Sequence, residues 1–96
     1  MTFEFHPEAL AELSHAAGYY AEQSPGLELR FLAEVDRAID RIEDDPKRWR
    51  IFTGDVRRVL VHVFPFGVLY TVTNDTIVVF AVVHLSREPG YCKSRR

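Results

Sequence analysis

Ninety-six residues, 47% of them hydrophobic and 27% charged, are expected to form one domain over residues 1–96, with a single small core. The longest apolar run, Ile77 to Val83, is far short of a membrane span, and Glu4, His6, Pro7, Glu8 and Glu12 interrupt the stretch where an export signal needs an apolar core. Cys92 is the only cysteine, which excludes an internal disulfide and a thiolate metal cluster, so the expected compartment is the cytoplasm.

The net charge of −2 conceals a division within the chain. Residues 1–46 carry eleven acids against Arg30, Arg37 and Arg41, a net −8; residues 47–96 carry nine bases against Asp55, Asp75 and Glu88, a net +6. A division of this kind points to an anionic partner on the basic half, either nucleic acid or an acidic peptide. The plainer reading is that exposed helix faces collect Glu and Asp.

Taken in order, Thr2 to Phe5 alternates polar and apolar and predicts a short strand. Pro7 suits the first position of a helix, where its missing N–H costs nothing, and Glu8 favours the positive end of the dipole. Leu10, Leu13, Ala17 and Tyr20 then form one apolar stripe to about Gln23, with Gly18 allowing a close neighbour. Ser24 can cap a second helix and Pro25 can open it. Its stripe is Leu32, Val35, Ile39 and Ile42, widened by Leu27, Phe31 and Ala38, and it stops at Asp44-Asp45-Pro46. The core expected from these stripes sets Leu10, Leu13, Tyr20, Phe31, Leu32, Val35, Ile39 and Ile42 against Ile77–Val83.

Lys47 to Asp55 reads as a connecting loop holding the only tryptophan, Trp49. Val56–Phe64, Val68–Thr73 and Thr76–Leu85 follow as strands rich in Val, Ile, Phe and Tyr, separated by Pro65-Phe66-Gly67 and Asn74-Asp75, which predicts an antiparallel meander. Ile77–Val83 lacks polar alternation and so predicts a strand covered on both faces. The tail from Ser86 is polar and basic. The fold class expected is α+β, a helical hairpin packed on a twisted antiparallel sheet with a short edge strand from the N-terminus.

Phe5-His6-Pro7-Glu8-Ala9 at the first helix, Tyr19-Tyr20 with Ser24-Pro25-Gly26-Leu27 at the hairpin, and Arg30-Phe31-Leu32 form the first half of a recurring pattern. Val56-Arg57-Arg58, Phe64-Pro65-Phe66-Gly67-Val68-Leu69-Tyr70 and His84-x-x-Arg87-x-Pro89-Gly90-Tyr91 complete it. In this arrangement the chain resembles RelE/ParE superfamily toxins of type II toxin–antitoxin systems, with the ParE-like branch favoured. Tyr91 is followed by Cys92, where such tails commonly continue with Trp. The resemblance implies growth inhibition, plasmid stabilisation, and neutralisation by a cognate antitoxin in a hetero-oligomer. It leaves two targets open: DNA gyrase, poisoned by ParE-like members that are not enzymes, or messenger RNA on the ribosome, cut by RelE-like endoribonucleases. A non-toxic, antitoxin-bound regulator is a third reading.

Metal-independent RNA cleavage needs a general base for the 2′-hydroxyl, cations beside the phosphorane and an acid for the leaving oxygen. The resemblance puts Arg58 where the cleaving members carry a strand lysine and Arg87 on their tail arginine, with Tyr91 near their catalytic tyrosine. Leu60 stands where their second lysine would be, and Gly67 replaces an arginine. Two of four cationic parts are therefore missing, which favours gyrase.

If the chain were a nuclease, its candidates would be Arg58, Arg87, Tyr91 and His84, although a packing or turn role suits His84 better. Antitoxin or target binding is expected at Arg57, Arg58, His62 and Arg87, with Arg58 and His62 sharing one sheet face. A solvated polar row is the competing reading of that pair. His6 and His15 are read as surface residues, and Cys92 as incidental. No metal or cofactor is expected: the four histidines have no ligand spacing, and no glycine-rich loop could cradle a phosphate.

Overall fold

The computed structural model describes residues 2–86. In chain order these form β1 (Thr2–Phe5), α1 (Pro7–Gln23), α2 (Leu27–Asp44), β2 (Ile51–Thr53), β3 (Val56–Leu60), β4 (Phe66–Thr73) and β5 (Thr76–His84).

His6 is the N-cap of α1: its Nδ1 accepts the Glu8 backbone N–H at 3.1 Å, and Pro7 takes the first helical position. The imidazole is therefore a helix cap rather than a plain surface group. Ser24 ends α1 in an extended conformation, its N–H bonded to the Tyr20 carbonyl, and does not cap α2. Gly26 reverses the chain instead, at φ 84, a conformation only glycine adopts freely, and α2 begins at Leu27 rather than Pro25. At Gly18 a Cβ would meet nothing within 4 Å, so no neighbour approaches there.

The fully buried row of α2 is Phe31, Val35, Ala38 and Ile42, whereas Leu32 and Ile39 are half-buried beside it. The core-facing stripe is thus rotated from the expected one towards Phe31 and Ala38. Burying a side chain such as Ile42 contributes about 1.5–3 kcal/mol relative to exposure. Leu10 departs from expectation, because 49% of it remains exposed. It lies one position round from Ala9 and Ala16, which carry the contact of α1 with the sheet.

The five strands run in the order β1-β5-β4-β3-β2. The expected α+β arrangement is present, with β3, β4 and β5 as an antiparallel meander, while β1 joins β5 in parallel and makes the sheet mixed. Asn74 and Asp75, at φ 47 and 66, link Thr73 to Thr76 as a two-residue hairpin turn of the type that needs positive φ at both positions. Between Leu69 and Tyr70 the register shifts, pairing Leu69 with Ala81 and Tyr70 with Val79, and Phe80 becomes the extra residue. The bulge explains why β5 is apolar without alternation. Val79 and Val82 join the core under the helices, while Phe80 and Ala81 join Val56 and Leu69 on the other face.

Other expected boundaries moved as well, among them the start of β4, which lies at Phe66 within the stretch read as a turn rather than at Val68. Ile51–Thr53, read as loop, forms β2, which pairs antiparallel with β3. β3 stops at Leu60 instead of Phe64, because the chain turns a corner at Val63, whose φ of 75 is strained for a β-branched residue. The corner delivers Phe64 to an aromatic cluster, 4.8 Å from Tyr20 and 5.3 Å from Phe31 between ring centroids.

Candidate functional site

Neighbouring residues of a strand point to opposite faces, and at Arg57-Arg58 this separates two cations that the sequence reading had grouped. Arg57 turns to the face carrying Tyr70, its partner across the ladder, and donates Nη1 to the Trp49 carbonyl at 2.6 Å. Trp49 Nε1 in turn donates to the Arg41 carbonyl at 3.0 Å, and Tyr70 donates its hydroxyl to the Pro46 carbonyl at 2.6 Å. These bonds clamp the 45–50 loop between α2 and the sheet, and they occupy Arg57. Burial pushes the Tyr70 phenol up to about 12, against the opposing pull of nearby Arg57 and with a smaller push from Asp45.

Arg58 turns the other way. Its guanidinium carbon lies 4.5 Å from the centre of the Phe52 ring, and its stem crosses Gly67. The Arg58 N–H pairs with the Arg50 carbonyl, the point where the outer edge of β3 is still covered. Beyond it β2 has diverged, and the Leu60 carbonyl is met by Arg41, whose Nη2 donates at 2.9 Å.

The result is a groove of about 880 Å³ along the β2–β3 edge. Its cationic wall is Arg41, Arg50 and Arg58, with the His62 imidazole beside them, and its apolar lining includes Trp49, Ile51, Phe52 and Leu60; none of the lining residues is Asp or Glu. Arg58 and His62 both line this groove, although His62 lies past the end of the strand. The sequence reading missed Arg41, Trp49, Arg50 and Phe52. The run Trp49-Arg50-Ile51-Phe52, two aromatics around a basic and an aliphatic residue, carried a signal for three of them; Arg41, on an acidic helix, carried none.

His84 lies elsewhere, at the end of β5, and lines a separate groove beside α1 with His15, Tyr19 and Phe66. Its Nδ1 accepts the Ser86 N–H at 3.1 Å and lies 2.9 Å from the Ser86 hydroxyl, and its ring sits edge-on to Phe66 at 5.4 Å. These contacts give it a turn-forming part, and they do not bring it to Arg58. Arg87, Tyr91 and Cys92 lie outside the described residues. The two positions read as missing cations, Leu60 and Gly67, are direct partners across the β3–β4 ladder.

Among the described residues no helix is long and apolar enough to cross a membrane. No curated protein sequence matches the chain. A solved structure described as the chromosomal ParDE TA system from P. aeruginosa matches with a TM-score of 0.78 at 15% identity, covering 88% of this chain and 95% of that one. At that identity the likeness concerns the fold. A family model described as the ParE toxin of type II toxin-antitoxin system, parDE, matches residues 3–89, nearly the whole sequence. The chain belongs to the ParE toxin family of type II toxin–antitoxin systems.

Proposed function

We propose that this toxin acts in the cytoplasm by binding and poisoning DNA gyrase, without chemistry of its own, and that a cognate antitoxin neutralises it in a hetero-oligomeric complex. The observation that carries the choice of target is the Leu60–Gly67 pair. A ribonuclease of this superfamily would need its cations gathered around the scissile phosphate. Here the position beside Arg58 presents an aliphatic side chain and a bare backbone instead. Arg41 and Arg50 share the groove with Arg58, yet none of the three can act as a general base, since a guanidinium stays protonated. The likeness to a structure described as a ParDE system supports the antitoxin part of the reading.

Purified toxin added to gyrase and supercoiled DNA should inhibit supercoiling and accumulate covalently cleaved DNA, while messenger RNA on translating ribosomes stays intact. Codon-specific cuts in that RNA, abolished by Arg58→Ala, would instead establish the ribosomal target.

A further inference from the structure

We infer that Val63, at the corner between β3 and β4, is an apolar knob with which this chain engages the folded protein it poisons. The inference rests on the reading that the toxin acts by binding a protein target, and it names a recognition residue for that contact. Val63 stands at φ 75, in the left-handed region, where a β-branched side chain is crowded by its own backbone. The corner uses that turn of the chain, since Val61 before it and Phe64 after it both join the core. The fold gains little, however, from the choice of valine: glycine adopts this conformation freely and asparagine tolerates it. The side chain is 67% exposed, the most of any large apolar side chain among the described residues, so burial returns little against the crowding. A strained residue whose side chain gains so little inside the chain points to a contact outside it.

The corner is a rigid mount. The Val61 N–H donates to the Phe66 carbonyl at 2.9 Å, the Phe66 N–H to the Phe64 carbonyl at 2.8 Å, and the Leu85 N–H to the Pro65 carbonyl at 2.9 Å. Phe64 is anchored against the rings of Tyr20 and Phe31. A side chain held in this way has little freedom left to lose on binding. Leu60 and Leu85, both exposed, flank the corner and widen the apolar surface around the knob.

Shape and charge name the partner. The corner stands between two grooves, one lined by Leu60 and His62 and the other by Pro65 and Phe66, and Val63 lines neither. A projecting side chain is buried by a concave surface, which a folded protein offers and an extended segment does not. Residues 59–74 contain no Asp, Glu, Lys or Arg, so neither the phosphates of a nucleic acid nor a charged peptide meets a counter-charge on this stretch. An apolar pocket on the target, which under the proposed function is gyrase, is the chemistry that suits it.

The experiment compares Val63→Asn and Val63→Ile with the parent chain, by thermal melt and by inhibition of gyrase supercoiling. Val63→Asn removes the crowding and the apolar knob together. It is expected to melt higher than the parent and to need about tenfold more protein for half-inhibition. Val63→Ile keeps the knob and should inhibit like the parent. A Val63→Asn chain that melts no higher would show that the valine serves the fold, and one that inhibits as well as the parent would show that the knob meets nothing on gyrase. Either result overturns the assignment. Weakened capture of the antitoxin encoded beside the toxin gene, with inhibition intact, would move the knob to the antitoxin and overturn it too. If the parent leaves gyrase untouched, the choice of gyrase fails, and growth arrest on induced expression decides the knob. Arrest with messenger RNA intact, relieved by Val63→Asn at equal protein levels and retained by Val63→Ile, sustains it as the contact to another protein target. Arrest by both variants, arrest through cut messenger RNA, or no arrest by the parent overturns it.

Discussion

The stem of Arg58 lies so close over Gly67 that a Cβ on that glycine would stand 3.2 Å from both Cγ and Cδ of the arginine. The guanidinium beyond this contact lies above Phe52, and a methyl group at residue 67 would have to shift the Arg58 stem slightly. Gly67→Ala makes the Arg58 stem give way by a few tenths of an ångström, and its expected cost is at most that of the Arg58–Phe52 contact, about 0.5–1 kcal/mol. In an Arg58→Ala background the same substitution should cost clearly less, and a double-mutant cycle in denaturant measures the coupling. Additive costs would show that the two residues do not compete for this space.

The two helices offer three graded truncations. Ile42 is fully buried, and Ile42→Ala should cost roughly 2–5 kcal/mol by leaving a cavity. Ile39, half-buried at the flank of the same helix, should cost less when truncated. Leu10→Ala, at a position 49% exposed, should stay within about 0.5–1 kcal/mol of the parent. Chemical denaturation of the three variants reads the order directly.

Glu12 does more than add charge to α1. Its Oε1 accepts the Val82 N–H at 3.1 Å, beyond the point where β1 stops covering β5, whose paired residues run from Thr76 to Val79. Glu12→Ala should cost about 1–3 kcal/mol, because Val82 is only 2% exposed and its donor loses that partner away from water. Glu12→Gln keeps an acceptor and should cost much less, so thermal melts of the two variants separate the hydrogen bond from the charge.

Tyr70 predicts an alkaline limit to stability. Its phenol titrates near 10 when unfolded, and burial raises it to about 12 in the fold, so the folded state holds the proton more tightly. The stabilisation is complete below about pH 10 and is lost as pH rises through about 12. Tyr70→Phe should cost about 0.5–1.5 kcal/mol at neutral pH, for the lost bond to Pro46. Its stability should then fall less steeply than that of the parent across the alkaline window, as denaturation at a series of pH values will show.

Much of this architecture was legible from local pattern. Both helices follow from apolar spacing, and the β4–β5 hairpin from Asn74-Asp75 between two β-rich runs. The parallel seat of β1 was not legible, because it depends on pairing Thr2 with Thr76 across most of the chain. Nor was β2, whose three residues are too few to show alternation. At the site, the opposite facing of Arg57 and Arg58 was within reach, since it follows from strand geometry alone. The contribution of Arg41 was not, because nothing on a helix surface announces a hydrogen bond to Leu60, nineteen residues later.

The parallel pairing of β1 with β5 also bears on how the toxin matures. Thr2 and Thr76 meet through their hydroxyls at 2.6 Å, and nearly every other element lies between them in sequence. During synthesis β1 leaves the ribosome early and must wait for β5, since strands brought together over long separations must overcome the full entropy of closing the intervening loop. Until then the buried row of α2 lacks part of the sheet it packs against. Closure of the sheet thus waits for β5, the last of the described strands, to be made. The groove at the opposite edge, whose wall is built on β3, is complete only after the meander that supports it has formed, so neither edge of the sheet is assembled before its central strands.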